Sequence, residues 1–135
     1  VVLALQGAWA LETDLFPRVA TPFGGGMARS GLTCGAVTGA VIAIGAALGR
    51  DGAEEDREPA YDAARRLVAG FQSQFGTTSC RDLTGIDLTT PEGRQAWIDR
   101  GLEEKCAEMV GWAVEEVLRL SPPRRPSGPG PSNAG

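Results

Sequence analysis

Apolar positions along the chain fall into helix-period stretches separated by polar or glycine-rich connectors. Val1 to Leu11, VVLALQGAWAL, reads as an apolar helix without a cap before it. A short helix is expected over Leu15 to Ala20, with Thr13 or Asp14 as its cap and Pro22 ending it. From Cys34 to Leu48 fifteen residues pass without a charge. Gly35 and Gly39 lie four apart there, as do Gly45 and Gly49, and residues four apart share a helix face. Each glycine costs a helix roughly 1 kcal/mol relative to alanine, so four in one helix need a reason. Close packing in a helical core is one. Room for a cofactor, or for a reactive sulfur at Cys34, is another. After the polar loop Arg50 to Glu58, Pro59 fits the first turn of a helix. Tyr61, Ala64, Val68, Phe71 and Phe75 then form a core-facing stripe, with Arg65 and Arg66 outside it and Gly76 as the stop. Thr90-Pro91-Glu92 opens one or two further helices through Leu120, with a break near Gly101. Cys106, Val110, Ala113, Val114, Val117 and Leu118 share one side, which puts Cys106 on a buried stripe.

No stretch alternates with the period of a strand, and there is no internal repeat. The expected fold is all-α: a compact bundle of about five helices around a buried glycine-striped central helix, over residues 1–120. From Ser121 the chain turns to proline, glycine and serine, a composition that cannot form a core and is expected to be disordered. The length of 135 residues suits one domain. The chain begins at Val1 without an initiator methionine, which reads as trimming or as a piece of something longer. No signal peptide is visible, and the apolar run at 34–48 is shorter than the roughly 20 residues a membrane span needs. A soluble, cytoplasmic protein is expected.

Composition removes several chemistries. The net charge of −4 argues against a nucleic-acid partner. Histidine is absent. That excludes Ser-His-Asp and Cys-His nucleophile systems, and zinc or haem held by histidines of this chain. Acid–base work would fall to carboxylates, Tyr61, Lys105 or a thiol.

The loop Phe23-Gly24-Gly25-Gly26-Met27 lacks the GKS or GKT of a phosphate-binding loop, and no βαβ pattern surrounds it. It reads as a tight turn that delivers Cys34 to a helix start, with Thr33 or Ser30 as the cap. Thr78 or Ser79 can cap a helical turn carrying Cys80. Partial positive charge there, with Arg81 adjacent, would favour a thiolate. Asp82 and Asp87 are the carboxylates an enzyme would use, although turn formation is their ordinary role. The three cysteines, Cys34, Cys80 and Cys106, show neither zinc-ribbon nor dense disulfide spacing. If they meet, three chemistries compete. An iron–sulfur cluster wants four thiolates. A dithiol/disulfide couple wants two within reach. Inert burial is the third, since free cysteine is among the most buried residue types. The candidate site is therefore Cys34, Cys80 and Cys106, as redox thiols or metal ligands, with Gly24, Gly25, Gly26, Gly35 and Gly39 as the walls of a cofactor pocket.

The run FGGGMARSGLTCGAVTGAVIAIG, then FQSQFGTTSCRDLTGIDL, then Cys106 in a last amphipathic helix, resembles the C-GCAxxG-C-C family. These are small helical proteins named for four cysteines and described as redox-active. The resemblance covers about residues 1–120. By it, Cys34, Cys80 and Cys106 match the last three family cysteines. The first normally lies a few residues before an apolar stretch like VVLAL, and this chain starts inside that stretch. A related domain occurs in split-Soret cytochromes, whose haem is bound by sequence this chain lacks, as it has no CxxCH. The resemblance implies a redox or metal role, with an iron–sulfur cluster as the candidate cofactor. A redox partner protein or a small-molecule thiol would be the partner, and a homodimer could bury the centre between protomers. The alternative is a helical binding or oligomerisation module whose cysteines fill the core.

Overall fold

The computed structural model describes residues 1–10 and 13–121. Among these residues are seven α-helices: α1 (Val2–Ala8), α2 (Leu15–Ala20), α3 (Gly35–Leu48), α4 (Glu58–Phe75), α5 (Cys80–Thr84), α6 (Pro91–Asp99) and α7 (Leu102–Leu120). A single 3₁₀ turn, Thr21–Phe23, follows α2. Among the described residues the one β element is an isolated antiparallel bridge between Thr33 and Ser79. The all-α expectation holds, with seven helices rather than about five. The count rises because the expected helical turn at Cys80 is a helix of its own, α5, and because the last segment divides at the expected break, where Gly101 turns left-handed at φ 60° and separates α6 from α7. Of the expected disordered tail, 121–135, only Ser121 is described, and it is buried; the rest, 122–135, and the end of the first expected helix, 11–12, lie outside the described residues.

Helix α3 packs against α1, α4 and α7, and α4 packs against α7. Its buried face carries Ala36, Ala40, Ala43 and Ala47, with Val37 and Ile44 beside them. Most of the small residues that admit the neighbours are thus alanines, with Gly39 buried among them, and the expected four-glycine stripe is not borne out as a whole. Gly35 and Gly39 are closely approached: an added Cβ would lie 3.2 Å from the Phe23 carbonyl oxygen and from Val1 Cβ respectively. Gly45 faces open space, and Gly49 ends the helix with its amide on the Gly45 carbonyl at 2.7 Å.

The α4 stripe is rotated from the expected one. Ala63, Leu67 and Phe71 are its deepest residues, while Tyr61 is 56% exposed and lies under the Arg57 guanidinium at 5.3 Å. Phe71, Phe75 and Trp112 form an aromatic cluster between α4 and α7, with centroids 4.7–5.9 Å apart. Geometries of this kind add to the burial of the rings themselves. On α7 the buried line is Met109, Ala113 and Val117. Cys106 sits one turn before it and is half-buried, and Leu118 is exposed.

The helix starts follow their caps. The Thr90 hydroxyl accepts from the Gly93 amide at 3.0 Å, and the Ser79 hydroxyl accepts from the Asp82 amide at 3.2 Å. Gly76 closes α4 in the left-handed region at φ 88°. At α2 the cap position is Asp14, and the Thr13 hydroxyl accepts from the Leu15 amide at 3.2 Å. Neither Ser30 nor Thr33 caps α3; Cys34 itself holds that position. Among the described residues no helix is long and apolar enough to cross a membrane.

Candidate functional site

The glycine loop is a left-handed turn. Gly25, Gly26, Met27, Ala28 and Arg29 are consecutive residues at positive φ, 66°, 72°, 63°, 50° and 66°. The turn closes on itself: the Met27 amide donates to the Phe23 carbonyl at 3.2 Å, Arg29 to Gly24 at 2.9 Å, and Leu32 to Gly26 at 3.1 Å. Glycine adopts this backbone freely, whereas a residue with a Cβ pays about 1–2 kcal/mol. Three such residues in a row persist only where the surroundings hold them, and stored strain of this kind clusters at functional sites.

What holds the turn is the segment carrying Cys80. The Cys34 amide donates to the Thr78 carbonyl at 2.7 Å, the Cys80 amide to Leu32 at 2.7 Å, and the Arg81 amide to Gly31 at 3.1 Å. Side chains alternate across an extended bridge. With Thr33 and Ser79 paired, Cys34 and Cys80 therefore leave on one common side. The Ser79 cap then starts α5, and the Thr84 hydroxyl donates to the Cys80 carbonyl at 2.8 Å. Helix α7 brings the third thiol. Lys105, next to Cys106, donates to the Leu83 carbonyl at the end of α5 at 2.7 Å. That bond ties α7 to the helix that carries Cys80.

All three cysteines border one half-open cavity of about 800 Å³. Gly24, Gly25 and Gly35 also line it, and Trp97, Met109 and Val110 supply apolar wall. Two of the expected wall residues stand elsewhere. Gly26 lies beneath Cys80, and Gly39 borders a separate hollow of about 230 Å³ against Val1. Asp82 and Asp87 do not line the cavity. Asp87 is occupied instead: its carboxylate accepts from Thr89 and pairs with Arg81 at 3.0 Å, and these partners lower its pKa.

The thiols are all free. Cys34 and Cys80 are buried, and burial pushes both pKa values up; the nearby Cys106 adds to each, and Cys34 adds to Cys80. The expected thiolate at Cys80 is thus corrected. Burial outweighs the helix start, and Arg81 is turned to Asp87. Cys34 differs in one respect. The Ala36 and Val37 amides at the start of α3 act on its sulfur and lower its pKa in part, without a closed capping hydrogen bond.

As placed, these residues do not fit a metal centre. Among the described residues no group of three or more cysteines or carboxylates stands close enough to hold a metal ion. Sequence reasoning missed the two arginines of the lining, Arg29 and Arg94. A signal for Arg29 was present in its place three residues past the last of three consecutive glycines. Arg94 and Trp97 carried none, since only the packing of α6 on α7 turns them to the cavity.

Neither a curated protein nor a solved structure matched the chain. The family described as "Putative redox-active protein (C_GCAxxG_C_C)" matches residues 1–120. The match takes in every element from α1 to α7 and all three cavity cysteines, and the chain belongs to that C-GCAxxG-C-C family.

Proposed function

We propose that the protein exchanges electrons through its thiols, with Cys106 and Cys34 forming a disulfide and Cys80 supporting them. The observation that carries this reading is the shared cavity: three free sulfurs from three separate elements border one space. Cys106 is the least buried and meets the substrate first. Its thiolate attacks one sulfur of a disulfide R–S–S–R, the S–S bond breaks, and the departing RS⁻ takes a proton to leave as RSH. The Cys34 sulfur, after losing its proton to solvent, attacks Cys106 Sγ in the mixed disulfide and expels the second RSH. Two thiols of the protein have been oxidised, and one external disulfide has been reduced to two thiols. Cys34 is assigned the second attack because amides act on its sulfur alone of the two buried ones.

The experiment is to treat the reduced protein with bis(hydroxyethyl) disulfide, for wild type and each single Cys→Ser variant. The wild type should form an internal disulfide. Cys80→Ser should still form it, and Cys34→Ser should stop at a mixed disulfide on Cys106. Unreacted thiols in the wild type would refute thiol exchange. The competing reading is ligation of an iron–sulfur cluster, which would need a fourth thiolate and the sulfurs drawn together. Iron and acid-labile sulfide after anaerobic purification decide it.

A further inference from the structure

The charge of the cavity narrows the class of substrate. Among the described residues that line it, Arg29 and Arg94 are the only ones with a permanent charge, and no carboxylate joins them. This holds although the whole chain carries a net −4. Neither arginine is in an ion pair among the described residues. Both are placed by specific structure. Arg29 stands at the end of the left-handed turn at φ 66°, a backbone region that side-chain-bearing residues rarely adopt. Arg94 is steered by one guanidinium nitrogen, which donates to the Leu88 carbonyl at 3.1 Å and the Thr89 carbonyl at 3.3 Å. An acidic protein with two arginines, outside any ion pair among the described residues, on the lining of the cavity that its thiols border, one of them on strained backbone, is arranged to receive negative charge there.

We propose that the substrates are low-molecular-weight disulfides carrying carboxylates, with Arg29 and Arg94 holding the carboxylates while the S–S bond lies toward Cys106. This rests on the thiol-exchange reading above and adds the substrate class. The cavity of about 800 Å³ is of the size that takes small organic ligands. Guanidinium is suited to the task because its planar fork matches a carboxylate. The exchange is the one written above, and the two released thiols carry the carboxylates away.

The test compares oxidation of the reduced protein by dithiodiglycolate (anionic), bis(hydroxyethyl) disulfide (neutral) and cystamine (cationic). Each rate is divided by that of the same reagent with a small free thiol, which removes intrinsic reactivity. Dithiodiglycolate should react at least about fivefold faster than the neutral disulfide, the scale of a partly screened ion pair, and cystamine should be slowest. The preference should vanish near 1 M salt, where the Debye length is about 3 Å. Arg29→Gln should remove most of the preference while moving the neutral disulfide's rate far less. Arg29→Gly should do the same without loss of stability, because glycine relaxes the left-handed backbone; this separates recognition from folding. Arg94→Lys should keep part of the preference, since it retains the charge. Equal normalised rates for the three reagents, or cystamine as the fastest, would overturn the proposal. So would an Arg29→Gln loss of equal size on all three. If even the neutral disulfide fails to oxidise the protein, thiol exchange itself is wrong. If it succeeds without any charge preference, only the substrate class falls.

Discussion

Gly26 lies directly beneath Cys80: a Cβ added to the glycine would stand 2.7 Å from Cys80 Cβ and as close to the Leu32 backbone nitrogen. The residue is also left-handed, at φ 72°. Gly26→Ala therefore meets both strain and a clash with backbone, and should cost about 3 kcal/mol. Gly24 is the control. It borders the same cavity at φ −60° and has nothing within 4 Å of an added Cβ. Gly24→Ala should stay within about 0.5 kcal/mol. Urea unfolding of both variants checks the pair, and equal stabilities would contradict the packing of the turn on Cys80.

The Ser79 cap places α5, and with it Cys80. Ser79→Ala loses the bond to the Asp82 amide and should cost about 1 kcal/mol. Equilibrium unfolding measures the cost. An effect as small as that of an exposed substitution would show that the bridge to Thr33 alone sets this segment.

The phase of α4 can be tested by two aromatic residues. Phe71 is 0% exposed and packs on Phe75 and Trp112. Phe71→Ala should cost about 3–5 kcal/mol. Tyr61 is 56% exposed, and Tyr61→Ala should fall within about 0.5 kcal/mol. A large loss at Tyr61 would restore the stripe expected from the sequence.

That stripe shows where legibility ended. The spacing of apolar residues in α4 was plain, but the 61-64-68-71-75 and 63-67-71 lines both have helical period, and only the neighbours choose between them. Caps were the most readable feature, because Ser79, Thr90 and Gly76 act through local backbone chemistry. The glycines of α3 misled for the opposite reason. Their spacing said that something could approach, while alanines at 36, 40, 43 and 47 do most of that work. At the site, the cysteines were visible as residues. Their meeting was not, because it depends on a bridge between segments 46 positions apart, counting from Thr33 to Ser79. The expected effect of Arg81 on Cys80 failed because Asp87, six residues on, takes the guanidinium.

Alkaline pH should act on stability through the two buried thiols. Burial raises the folded-state pKa values of Cys34 and Cys80 above the ordinary 9.0. The unfolded state therefore loses its thiol protons first as pH rises. The contribution is fully present below 9.0 and is lost as pH climbs through the folded values. Urea midpoints should fall on the alkaline side of 9.0 and hold steady at neutral pH, with a smaller alkaline fall in Cys34→Ala. A midpoint that ignores alkaline pH, or an unchanged fall in the variant, would contradict burial as the cause.

The most direct measurement is a redox titration. The protein is equilibrated in graded mixtures of a small thiol and its disulfide, quenched, and its free cysteines are counted and located by mass. The expected result is a single two-electron transition in which Cys34 and Cys106 disappear together and Cys80 remains a thiol. Three cysteines that stay free across the whole range, or that vanish one at a time onto the small thiol, would contradict thiol exchange in the cavity.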